Sequence, residues 1–162
     1  LGTHGGRKTE DFVHDDIHNS KVWRCGAFGI PGAASTFSVM MVTPAALVDE
    51  IHLQVRVESN GPGIVRLFEA PNAIGGTVLT AINANRDFAG VAHSALTGDP
   101  AVTSTGTSMG ISIIGSSGFK SESGGAAISE LWLLKAATKY LVRFTADAAS
   151  TRTTIKLIWS EE

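Results

Sequence analysis

Ile51-His52-Leu53-Gln54-Val55-Arg56-Val57-Glu58 alternates without a break, apolar at every odd position and polar at every even one. Successive side chains of a strand point to opposite faces, so this stretch lays one face on a core and turns the other to water. Tyr140, Val142 and Phe144 alternate with Leu141, Arg143 and Thr145 in the same way. So do Ile155, Leu157 and Trp159 against Thr154, Lys156 and Ser160, with Ile158 breaking the pattern. Phe37, Val39 and Met41 form a further face, although Met40 and Val42 make that strand apolar on both sides. Shorter strands are expected at Val22–Phe28, Gly63–Glu69, Thr77–Ile82, Ala101–Thr105, Ser108–Ile114 and Ser129–Leu134.

Turn chemistry separates these runs: Ile30-Pro31-Gly32, Ser59-Asn60-Gly61-Pro62-Gly63, Ala70-Pro71-Asn72, Gly98-Asp99-Pro100 and Ser123-Gly124-Gly125. Each offers a glycine or asparagine that tolerates positive φ, or a proline with φ already fixed. Thr43-Pro44-Ala45-Ala46-Leu47-Val48-Asp49 suits one turn of helix, since proline is welcome at the first helical position. The stretch from Ala84 to Gly98 reads as a long loop. About ten short strands with such punctuation predict an all-β fold, an antiparallel sandwich or barrel, of which a jelly-roll-like β-sandwich over 21–162 is the expected form. Residues 1–20 are polar and Gly-rich at their start, and they read as an extended N-terminal arm or linker, lying on a neighbour or continuing from something upstream.

Composition narrows the function classes. The chain has 162 residues, enough for one domain with its own core, and 17% of them are charged, below the usual quarter. A single cysteine leaves no disulfide framework and no thiolate zinc site. A net charge of −2 without a basic cluster argues against nucleic acid as a partner. No apolar run reaches the roughly 20 residues of a membrane helix.

Few residues group in a way that carries chemistry. His14-Asp15-Asp16-Ile17-His18, with His4 upstream, is the densest set of ligand types. On a helix, His14 and His18 would share a face, as zinc requires, but the glutamate of the hydrolytic zinc helix is missing. On a strand they would lie about 13 Å apart, too far for one ion. Solvated or subunit-interface histidines are the better reading. Gly106-Thr107-Ser108-Met109-Gly110 has the outline of a nucleophile elbow but sits in a strand-like run. Cys25, between Arg24 and Gly26 in an apolar strand, reads as a buried, inert thiol. Asn83, Asn85, Arg86 and Asp87 form a polar cluster with two readings, a partner-binding surface or a loop whose asparagines bond their own backbone. No catalytic, cofactor or metal residue is assigned. The expected interface set is His4, Arg7, Lys8, His14, His18, Asn83, Asn85, Arg86 and Asp87.

The segments Gly2-Thr3-His4-Gly5, His14 to His18, Gly76-Thr77-Val78-Leu79-Thr80-Ala81-Ile82-Asn83-Ala84-Asn85-Arg86 and Leu133-Leu134-Lys135 with Thr138-Lys139-Tyr140-Leu141-Val142-Arg143-Phe144-Thr145 resemble a family of tailed-bacteriophage virion proteins. Its members share G-T-x-L-T-A-x-N-x-N-R, a later L-K-x-x-T-K-Y-L-x-R-x-T and a closing tryptophan, here Trp159. The chain departs from them at Trp159-Ser160-Glu161-Glu162, where relatives carry a second aromatic. The resemblance implies a head decoration (cement) protein on the outer surface of the virion capsid, present in host cytoplasm during assembly. It implies the major capsid protein as partner, self-association as a homo-oligomer with a trimer preferred over a dimer, and neither nucleic acid nor membrane. The alternative is a head- or tail-fibre adhesin binding a host receptor or glycan, with Trp23, Trp132 and Trp159 available for a sugar face.

Overall fold

The computed structural model describes residues 16–46, 50–114 and 131–161. These form strands β1 (Val22–Gly29), β2 (Thr36–Val42), β3 (Ile51–Ser59), β4 (Gly63–Glu69), β5 (Asn72–Ile74), β6 (Thr77–Leu79), β7 (Ile82–Asn83), β8 (Ala95–Gly98), β9 (Ala101–Ser104), β10 (Thr107–Ile114), β11 (Leu131–Leu134), β12 (Lys139–Ala146) and β13 (Thr153–Ser160). One sheet runs β11-β3-β13-β1-β7, the other β10-β4-β12-β2-β8-β6, and β5 pairs with β9 as a separate ribbon. Every pairing is antiparallel. The all-β sandwich expected from the alternation is the fold.

Register explains why the period-two pattern is so clean. Trp23, Trp159, Leu53 and Trp132 are directly opposite one another on β1, β13, β3 and β11, so they form one inward row. Leu67, Val142 and Val39 make the matching row on β4, β12 and β2. Both rows belong to one buried cluster that also holds Ile51, Val55, Val57, Phe144, Ile155 and Leu157. Burying each large side chain of this kind is worth roughly 1.5–3 kcal/mol, which fixes the face and hence the register.

The doubly apolar β2 has a separate cause. Phe68, Leu141 and Met40 are cross-strand neighbours on the outward face of the second sheet. They are buried together with Ala73 of β5, and Val102 of β9 packs against them. The β5–β9 ribbon is therefore a lid over part of that sheet, and Met40 and Val42 serve this smaller core.

Four expectations are corrected. Thr77–Ile82 is two strands, because the chain crosses there from one sheet to the other: β6 pairs with β8 and β7 with β1. A segment that changes sheets cannot keep one ladder, so it breaks at Thr80-Ala81. The end of the expected 84–98 loop is β8, whose Leu96 is buried; four residues ending in glycine give too short an alternation to stand out. Asn72, expected in a turn, begins β5, and the reversal is carried by Ala70 at φ 55°. Residues 43–46 of the expected helical turn are not helical, and 47–49 lie outside the described residues, as do residues 1–15 of the expected arm, Ser129 and the Ser123-Gly124-Gly125 turn.

Candidate interface

The N-terminal end of β1 gathers the sequence-predicted residues that the structure describes. A single helical turn, Asp16–His18, leads into Ser20, which reverses the chain at φ 64°. Asn83, buried at the start of the next segment, donates from Nδ2 to the Ser20 carbonyl at 2.6 Å. Its Oδ1 accepts the Asn85 N–H at 2.8 Å, and the Asn85 Oδ1 accepts the Asp87 N–H at 3.1 Å. Asn85 Nδ2 in turn donates to Ser20 Oγ at 3.0 Å and to the His18 carbonyl at 3.5 Å. Both asparagines thus bond local backbone, as an Asx turn does, and also tie the loop to the segment entering β1.

The far end of the same loop is held by Glu161. Its buried carboxylate accepts the N–H of His93 at 2.6 Å, the N–H of Ser94 at 3.1 Å and the Ser94 hydroxyl at 2.5 Å. The Glu161 N–H donates to the Lys21 carbonyl at 3.0 Å. A buried carboxylate is tolerated only with such donors around it. Between these clamps Phe88 sets its ring edge-on to Trp23, with centroids 6.1 Å apart. The result is a loop fixed at both ends whose middle stands in solvent.

Arg86 and Asp87 are exposed in that middle, and His18 is exposed beside it. His4, Arg7, Lys8 and His14 lie outside the described residues. The loop also presents Phe88 and Val91, 45% and 81% exposed, which the sequence reading did not single out. Their signal was present: two large apolar residues in a polar, glycine-bearing loop with no alternation to bury them. Charged and apolar groups thus stand side by side in solvent on a fixed loop.

The chain matches no known protein family, no curated protein and no solved structure.

Other sequence candidates fall elsewhere. Cys25 is buried, and burial pushes its thiol up from the usual range, which disfavours the reactive thiolate. Ser108 stands exposed on the edge strand β10. Trp23 and Trp159 are buried in the core, and Trp132 lines the same core from β11. At the same end of the sandwich, towards the β11 edge, Lys135 Nζ pairs with Glu69 at 2.8 Å, and Tyr140 bridges them: its oxygen accepts the Lys135 N–H at 2.8 Å and donates to Glu69 at 3.3 Å. The salt-bridged ammonium holds the Glu69 carboxyl below its ordinary range. No group of three or more metal-ligating side chains comes together among the described residues.

Proposed function

We propose that the protein is a capsid decoration protein, which binds the outer surface of a phage head and bridges neighbouring capsomers without catalysing a reaction. The observation that carries this reading is the doubly clamped 84–94 loop, with Arg86, Asp87, Phe88 and Val91 exposed beside the Asp16–Ser20 segment that enters β1. A fixed loop and an adjoining chain segment at one end of a stiff brick suit a subunit that must touch more than one neighbour. Preorganised contacts lose little entropy on docking, and repetition over a shell turns modest contacts into firm attachment.

Strand order supports the jelly-roll part of the reading. β1-β13-β3-β11 in one sheet and β2-β12-β4-β10 in the other is the order expected of eight jelly-roll strands, with β5–β9 inserted between the fourth and fifth. Self-association around a closed axis, preferably threefold, belongs to the same reading. The buried positions of Trp23 and Trp159 weigh against a sugar-binding aromatic face and so against the adhesin alternative.

The test compares phage heads with and without the protein. Heads that lack it should break at lower temperature and under milder chelation, and antibody should label the shell and leave the tail bare. Equal robustness of both kinds of head ends the cement reading; label confined to the tail replaces it with an adhesin.

A further inference from the structure

A second surface lies on the outward face of the sheet containing β3, β13 and β1. There Arg24, Arg56 and Lys156 line a groove of about 470 Å³, together with Thr80, Ile82 and Ile158. Arg56 stands directly across from Lys156, and Lys156 directly across from Gly26. Arg24 is two residues along β1, opposite Ile158 on one side and Ile82 on the other.

This arrangement breaks a rule of sheet surfaces. Like charges directly opposite one another repel, and strands ordinarily avoid them. Arg66 and Arg143 also face each other across β4 and β12, but there Arg143 bonds Ser38 Oγ at 3.2 Å and is attracted by Asp99. In the groove only Lys156 is neutralised, by Glu58 at 2.9 and 3.0 Å. Neither Arg24 nor Arg56 makes a hydrogen bond or ion pair with any described residue. Gly26 keeps the floor open: a Cβ there would meet only Lys156 Cγ, at an ordinary 3.9 Å, so packing does not demand glycine. Local violations of this kind, left uncompensated among the described residues, are where a ligand is to be sought.

We propose that this groove binds an acidic, extended peptide segment of a protein partner, with its carboxylates taken by Arg24 and Arg56 and its apolar side chains resting on Ile82 and Ile158. Charge complementarity selects the occupant: two planar guanidinium forks match carboxylates, and each can donate a bidentate pair of hydrogen bonds. The groove crosses the faces of three adjacent strands beside Ile82, which is 51% exposed, so it offers length and an apolar shoulder along with charge. The inference goes beyond the capsid reading and does not depend on it, since any protein with such a segment would serve.

Calorimetric titration of the full chain with the peptide acetyl-Glu-Ser-Val-Ser-Glu-amide, which turns both carboxylates and the valine to one face when extended, tests it at low salt, with sodium glucuronate and inorganic phosphate titrated in parallel. Saturable peptide binding is expected, weakened about tenfold by Arg24→Ala or Arg56→Ala and about a hundredfold by both, as for hydrogen bonds to charged groups. The double Arg→Lys variant should recover part of the loss, because it keeps the charge and gives up the fork. Both arginines are exposed, so circular dichroism of the variants should match the parent. Undiminished binding by the double alanine variant, or no peptide binding at all, overturns the proposal. Glucuronate or phosphate bound as tightly as the peptide also overturns it, in favour of an acidic sugar or a free phosphate.

Discussion

Glu161→Ala removes the acceptor that holds the C-terminal half of the candidate loop. The carboxylate receives two backbone N–H groups and one hydroxyl, from His93 and Ser94, and both Glu161 and Ser94 are buried. Hydrogen bonds to a charged group contribute about 1.5–3 kcal/mol each when made, and an abandoned buried donor costs about 1–3 kcal/mol. The three losses do not add fully, because His93 is exposed and water can replace the acceptor at its N–H. A net loss of about 3 kcal/mol is therefore expected. Glu161→Gln keeps one acceptor oxygen and the shape but turns an amide NH2 towards donors, so about half that loss should remain. Urea unfolding measures both: with a slope of roughly 2 kcal/mol/M, the alanine variant should lower the midpoint by about 1.5 M at unchanged slope. Amide exchange across residues 84–94 should rise in the same variant, because the clamp is local. Exchange that stays put, or a stability loss under about 0.5 kcal/mol, means the carboxylate does not hold the loop. The physical basis for a fixed docking end would then be gone.

Leu141→Ala, at a fully buried position under the β5–β9 ribbon, should cost about 3 kcal/mol by denaturant unfolding; a cost below about 1 kcal/mol would mean that the ribbon does not pack on the sheet. Tyr140 is the only tyrosine, so phenolate absorbance reports it alone, and its midpoint should lie above the ordinary 10 because burial disfavours the charged ring. A raised folded value stabilises the fold fully below the unfolded value, so stability should begin to fall near pH 10 and keep falling through the folded midpoint. Gly106→Ala should destabilise by at least about 1 kcal/mol in thermal melts, since Gly106 sits at φ +75° and a Cβ would press on the Glu69 and Ala70 carbonyls. The Cys25 thiol should resist a thiol reagent in the native protein and react at once in denaturant.

Sequence alone determined the long strands and their faces. Wherever one face of a strand is buried and the other wet, the alternation is written in residue types, and β3, β12 and β13 could be read without any partner in view. It also marked Asn83, Asn85, Arg86 and Asp87 as one polar group, because they are neighbours in the chain. Tertiary structure alone decided how that group divides: the asparagines turn inward to Ser20 and His18, while Arg86 and Asp87 remain outside. It alone brought Glu161 to His93, across a separation of 68 residues, and Arg56 to Lys156, across a hundred. Periodicity reports only which way a side chain faces, whereas what it meets there depends on which strands pair and in what register. Those long-range choices are made by the summed burial of the whole sandwich, and no local stretch of sequence contains them.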